Sequence, residues 1–194
     1  GLDSEGRIDL DQLAALLARA DAESATLLVA VHWVNNETGV IQPIERINAM
    51  VGPTRHTLFI DAVQALGKLP LDFAASAPDM MAISGHKIGG PAGIGALLVK
   101  VHADIVRLIP GGGQEQGRRG GTESAALVAA FGAAAAASDY NIEAMSALTA
   151  HLEAGLLALA PDCVVFGQGA NRIGNVTNFA VPGIGNATAM MALD

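Results

Sequence analysis

An α/β fold built on a largely parallel sheet is the architecture this 194-residue sequence predicts. Three observations lead there. Short apolar runs of strand length, at residues 26–32, 57–60 and 80–83, alternate with segments of helical periodicity. The runs are apolar at consecutive positions, the pattern of strands covered on both faces. Their ends, not their middles, carry the polar groups: Asn35 and Asn36, then Asp61 with Gln64, then Ser84, His86 and Lys87.

Taken in order, Asp9 and Gln12 have the spacing of a capping box, and Leu10, Leu13, Leu16 and Leu17 recur at helical intervals, predicting a helix over 10–19. The strand at 26–32 runs into a polar turn that ends at Gly39. Pro43 opens a second helix with Ile44, Ile47, Met50 and Val51 on one face, and Gly52-Pro53 stops it. The strand at 57–60 delivers Asp61. Strands at 80–83 and 96–99 flank a loop in which Lys87 is followed by Gly89, Gly90, Pro91, Gly93 and Gly95. Glycines there let the backbone turn sharply and approach a ligand closely.

Beyond Lys100 the texture changes. Residues 110–123 form a glycine-rich loop, unusual in a compact domain unless it serves a site. Thr122 is placed to cap an alanine-rich helix reaching about Ala137. A second helix over 141–159 carries Ile142, Met145, Leu148, Leu152 and Leu156 on one face and stops before Pro161. Short strands at 163–166 and 175–180 follow. The expected division is an α/β domain at 1–138 and the start of a smaller unit at 139–194.

Composition narrows the function classes. Apolar residues make up 51% and charged residues 15%, which describes a core-rich globular chain. A net charge of −8, with Arg118-Arg119 the one visible basic cluster, argues against a nucleic-acid surface. No apolar run reaches the roughly 18 residues of a membrane span. Cys163 is the single cysteine, so no internal disulfide forms and a reducing, cytoplasmic setting is expected. Beside Val164 and Val165 it reads as a buried, inert thiol.

In open α/β sheets a ligand lies outside the carboxyl ends of the strands. One amine, one carboxylate and several neutral hydrogen-bonding groups are delivered to that edge here. Pyridoxal phosphate needs those parts: a lysine for its imine, a carboxylate opposite the ring nitrogen, and donors around the phosphate. Singly, each residue has a plainer reading. Lys87 can be a solvated charge, Asp61 a loop cap, Asn36 a turn former, and Ser84 or Thr122 a helix cap. His32 and Trp33 read as packing residues. It is the ordered set that favours the cofactor.

Asn35-Asn36-Glu37-Thr38-Gly39, Asp61-Ala62-Val63-Gln64, Ser84-Gly85-His86-Lys87 with Gly90-Pro91, and Gly111-Gly112-Gly113-Gln114-Glu115 with Arg119-Gly120-Gly121-Thr122-Glu123 together resemble the cysteine desulfurases. These are fold-type I, class V pyridoxal-phosphate enzymes that mobilise sulfur for iron–sulfur clusters. The resemblance runs from about Gly6 to Asp194. It implies a mostly parallel sheet of the pyridoxal-phosphate-dependent transferase large domain, followed by the start of a smaller α+β C-terminal domain. It implies Lys87 as the lysine bonded to the cofactor, Asp61 at the pyridinium nitrogen and Gln64 at the ring hydroxyl oxygen. Asn36 would lie beside that oxygen and the substrate carboxylate, Ser84 and His86 at the phosphate, and Thr122 at the phosphate of a neighbouring subunit.

L-cysteine as substrate, a homodimer, and a sulfur-acceptor or scaffold protein follow from the same resemblance. Gly89, Ala92 and Gln116 depart from residues common in relatives and leave the subgroup open between a desulfurase and another class V enzyme, an aminotransferase or a selenocysteine/cysteine lyase. The family's ring-stacking histidine is expected before Gly1. Its persulfide cysteine and carboxylate-binding arginine are expected after Asp194. Residues 1–194 alone are therefore expected to be inactive as a desulfurase, and a non-catalytic cofactor-binding unit is the alternative from another class.

Overall fold

The computed structural model describes residues 1–76, 78–103 and 105–193; Asp194, the last residue of the predicted second unit, lies outside the described residues. Helix α1 (Leu10–Ala22) starts where the capping box places it: Asp9 Oδ1 accepts from the amides of Asp11 and Gln12, both at 3.0 Å, and Gln12 Nε2 donates back to Asp9 Oδ2 at 2.7 Å. Strand β1 (Leu28–His32) follows, then α2 (Ile44–Val51), β2 (Thr57–Asp61), a one-turn α3 (Phe73–Ser76) that periodicity did not predict, β3 (Met80–Ser84) and β4 (Gly95–Val99). The sheet order is β1-β2-β3-β4, with the first three strands parallel and β4 antiparallel at the edge.

The core lies on one face of this sheet. Leu58, Ile60 and Met81 are fully buried against Ile44, Ile47 and Val51 of α2 and Leu13 and Leu17 of α1. The other face is more open, with Leu28 61% and Leu97 49% exposed, so the expectation of strands covered on both faces is corrected among the described residues. The physical difference is that α1 and α2 both pack on the Ile60 side.

Helix α4 (Ala125–Ala137) is capped by Ser124, whose Oγ accepts from the Leu127 amide at 3.4 Å, and not by Thr122. Thr122 sits two residues upstream, in the glycine-rich loop, and is exposed. Helix α5 (Ile142–Leu159) is capped by Asn141, which accepts from the Ala144 amide at 2.9 Å. Its predicted apolar face is not the buried one. Leu148 and Leu152 are 65% and 51% exposed, while Glu153 is buried, ion-paired to Arg172 at 2.8 Å and accepting from Thr177 Oγ1 at 2.9 Å. A buried carboxylate needs that pairing, and the pairing decides which side of the helix turns inward.

At 18 residues and a mean hydropathy of 1.2, α5 is long and apolar enough to cross a membrane by length and composition alone, although Glu143, His151 and Glu153 interrupt it, so it is not a continuous apolar run. Strands β5 (Val164–Val165) and β6 (Phe179–Ala180) form a two-stranded antiparallel sheet shorter than predicted, and α6 (Asn186–Leu193) is the last helix among the described residues. Between these strands the chain returns to the segment that follows β1. The Ile173 amide donates to Gly39 O and the Ile41 amide to Asn171 O, both at 2.9 Å, and Ile173 joins the main core.

Ile60 tests the core directly. Ile60→Val is expected to lower the unfolding free energy by about 1 kcal/mol and Ile60→Ala by about 3 kcal/mol, because a fully buried site cannot collapse around the lost methyls. Denaturant titration at an unchanged m-value reads both.

Candidate functional site

Register builds the site. His32 pairs with Asp61, and Asp61 pairs with Ala82, so these residues form a row across three parallel strands. Residues in register share a face, and Ser84, two positions beyond Ala82, shares it too. That face is the open one, opposite Ile60. Backbone bonds carry the ladder to the strand ends: the Trp33 amide donates to Asp61 O at 2.8 Å and the Ala62 amide to Ala82 O at 2.9 Å. Asp61 is half-buried, and its Oδ1 accepts from the Val63 amide at 2.9 Å, which fixes the carboxylate at the end of β2.

In the loop after β1, Asn35 is the turn former. Its Oδ1 accepts from the amides of Glu37 and Thr38 at 2.9 and 2.8 Å, and Asn36 is left exposed beside it. After β3, Gly85–Ile88 form a single 3-10 turn that carries His86 and Lys87 outward, both exposed. Ser84 Oγ and His86 Nδ1 are 2.8 Å apart. The turn is pinned from below. A Cβ on Gly85 would come within 3.2 Å of Phe131 on α4, and one on Gly90 within 2.9 Å of Gly85 O. Close packing thus accounts for Gly85 and Gly90, whereas Gly89 (φ +80°) and Gly93 (φ +86°) serve left-handed backbone turns in open space.

Gln64 stands on the turn after β2 and accepts from Lys68 Nζ at 2.7 Å through its Oε1. Lys68 is buried at 6% exposure, with its ammonium 5.8 Å from the centre of the Tyr140 ring. Burial, and secondly the positive charge of Lys87, hold the Lys68 pKa below the ordinary lysine value. Gly67 (φ +73°) lets the turn press on the lysine loop: a Cβ there would meet Ile88 Cγ2 at 2.9 Å.

Asp61, Gln64, Ser84, His86 and Lys87 are thus delivered to one edge of the sheet, with Asn36 at the end of the neighbouring strand. Thr122 is not gathered in. It stands exposed at the end of a loop whose neck is closed by the Gly120 amide donating to Ile109 O at 2.8 Å. Concavities of about 370 and 390 Å3 lie elsewhere, one beside Glu5 and Phe166, the other beside Lys68 and Tyr140. The strand-end cluster is an open shelf, and the enclosed crevice expected from the topology is not formed by these residues alone.

Two residues escaped the sequence reading. His32 stands in the Asp61 row with its Nε2 buried and without a hydrogen-bond partner among the described residues. Lys68 was legible only as a fourth-residue neighbour of Gln64, a spacing that meets on a helical turn. As a donor set the shelf suits pyridoxal phosphate: a fixed carboxylate for a protonated ring nitrogen, an amide for a ring oxygen, a hydroxyl–imidazole pair for phosphate, and an amine.

The aminotransferase class-V family matches residues 1–194. Among curated proteins, a cysteine desulfurase of Nostoc sp. is 40% identical over 197 residues, covering 100% of this chain and 48% of that protein. A solved NifS-like protein from Rickettsia africae superposes with a TM-score of 0.88 at 30% identity, covering 98% of this chain and 53% of its own. A structure of SspA in complex with cysteine gives a TM-score of 0.82 at 29% identity, covering 100% and 53%. The chain spans about half the length of the curated relatives it matches.

The glycine packing makes a paired prediction. Gly89 has φ +80° and open space around a built Cβ, so Gly89→Ala should cost only left-handed strain, about 1 kcal/mol. Gly67→Ala adds a collision with Ile88 and should cost about 3 kcal/mol. Equal losses for the two variants in chemical denaturation would show that the 64–68 turn does not bear on the lysine loop.

Proposed function

Because this chain belongs to the class-V aminotransferase family, we propose that it carries the cofactor-holding core of a cysteine desulfurase that removes sulfur from L-cysteine and leaves L-alanine. The observation that supports this most is the placement of Asp61 and Lys87 at the carboxyl ends of adjacent parallel strands, on a chain whose curated relatives bear the desulfurase name. SspA, solved with cysteine, supports the choice of substrate.

In this reading pyridoxal phosphate, when bound, supplies an electron sink for negative charge developing at the substrate α-carbon. The chain supplies position and proton control. Asp61, held by the Val63 amide, keeps a proton on the ring nitrogen. Gln64 donates an N–H to the ring hydroxyl oxygen. Ser84 and His86, already paired at 2.8 Å, hold the phosphate, with Thr122 of the partner subunit completing that site in a homodimer. Lys87 is the amine that would anchor the cofactor, and its Nζ is the base that would accept the substrate α-carbon proton. Asn36 orients the substrate carboxylate.

An enzyme cysteine thiolate would attack the substrate sulfur, forming the S–S bond of a persulfide as the Cβ–S bond breaks; the carbon left behind would take up a proton to give alanine, and the persulfide sulfur would pass to an acceptor or scaffold protein. Cys163 is not assigned that role: it is buried beside β5, where its sulfur is shielded from a substrate. A reducing, cytoplasmic setting is proposed from the low cysteine content of the sequence.

The test is chemical. Borohydride reduction of the protein loaded with pyridoxal phosphate, followed by peptide mapping, is expected to place the pyridoxyl label on Lys87; a label on Lys68 or Lys100 overturns the assignment. In the full-length protein Asp61→Ala should leave the fold intact and lower alanine formation from cysteine by at least about 100-fold. Near-normal turnover would give the carboxylate another task.

A further inference from the structure

Lys68 is a charged residue buried for no reason the core supplies. It is 6% exposed, yet it makes no ion pair with a carboxylate among the described residues. Lysine is almost never buried unless paired, since removing an ammonium from water is expensive. Its polar partners here are the Gln64 side chain at 2.7 Å and the face of Tyr140, 5.8 Å from the ring centre. The Tyr140 ring provides a modest cation–π attraction and no direction. The Gln64 contact is directional.

An ammonium has three donors and no acceptor, so the end of the amide facing it must be the oxygen. Turning the amide over would bring an N–H2 group against a positive charge. A neutral partner such as serine would accept either orientation; a lysine accepts one. With Oε1 committed, Gln64 Nε2 and both its N–H bonds are directed away from Lys68. We propose that Lys68 is a positioning residue that fixes the amide polarity of Gln64, making Gln64 an obligate hydrogen-bond donor to the cofactor's ring oxygen. This rests on the function proposed above, in which that oxygen accepts from Gln64.

The surrounding packing holds the pair in place. Lys68 and Gln64 are one helical turn apart, and the turn is braced by the Leu66 amide donating to Ala62 O at 3.0 Å and the Leu69 amide to Ala65 O at 2.9 Å. Gly67, next to Lys68 in this turn, packs so closely on Ile88 of the lysine loop that a Cβ there would meet Ile88 Cγ2 at 2.9 Å. Burial first, and the positive charge of Lys87 second, lower the Lys68 pKa.

The experiment uses the full chain, titrated with pyridoxal phosphate and read by affinity, by the visible absorption band and by thermal midpoint. Lys68→Met removes the donors and keeps an apolar side chain of similar length. Lys68→Gln, a milder change, keeps hydrogen bonding but can present either end of its dipole, and Lys68→Arg keeps a donor-only cation. Lys68→Met and Lys68→Gln are expected to weaken cofactor affinity by about tenfold, the worth of one misdirected hydrogen bond. They should also move the visible band, whereas Lys68→Arg restores both.

In a Gln64→Ala background, Lys68→Met should have no further effect on affinity or band. An unchanged band and affinity in Lys68→Met and Lys68→Gln overturns the inference alone. So does an effect equally large in the Gln64→Ala background. Absence in the unmutated protein of any visible band that depends on Lys87 overturns the proposed function, and this inference with it.

Discussion

Strand β2 is hydrogen-bonded on both sides, to β1 and β3, while Leu58 and Ile60 are sealed against α2 on one face. Those two facts fix the orientation of everything at the sheet's carboxyl edge. Side chains alternate along a strand, so a one-residue slip would carry Ile60 to the open face and Asp61 into the core. Burying Ile60 is favourable by roughly 2 kcal/mol, and burying an unpaired carboxylate is opposed more strongly. The same hydrophobic contact that stabilises the sheet therefore aims the Asp61 carboxylate at the open face. His32 and Ala82 follow through their register with Asp61.

A second constraint is close packing at glycines. The lysine loop is wedged between α4 and the 64–68 turn, with Gly85 against Phe131 and Gly67 against Ile88. A loop held on two sides loses little further freedom when it meets a ligand, and preorganisation of that kind is worth more than additional contacts. Lys87 combines an exposed side chain with a loop packed on two sides. The Lys68–Gln64 pair extends this principle from position to polarity: it sets which atom of an amide faces outward.

The Glu153–Arg172 pair plays a comparable part further along the chain. It overrides the amphipathic reading of α5, exposing Leu148 and Leu152 in order to keep a carboxylate matched to a guanidinium. The Thr177 hydroxyl adds a second donor to the same carboxylate. Breaking one partner of such a pair leaves a buried charge, which is why α5 turns its polar side inward.

Local chemistry was readable from the sequence because it acts within a few residues. The Asp9 cap, the Pro43 start, the strand ends at Asp61 and Ser84, and the polar groups gathered after them all depend on propensity and short-range pattern. Fold class, and the delivery of Asn36, Asp61, Gln64, Ser84, His86 and Lys87 to the strand ends, were legible for that reason. What lay beyond reach depends on partners distant in sequence. The inward face of α5 is chosen by Arg172, and the cap of α4 falls to Ser124 because the preceding loop closes at Gly120. The open outer face of the sheet follows from where α1 and α2 pack. Lys68 shows the boundary most clearly. Its spacing from Gln64 is written in the sequence, but its burial, and hence the direction in which it locks the amide, arises only when Tyr140 and the lysine loop are folded against it, because desolvation is a property of the whole surrounding and not of neighbours along the chain.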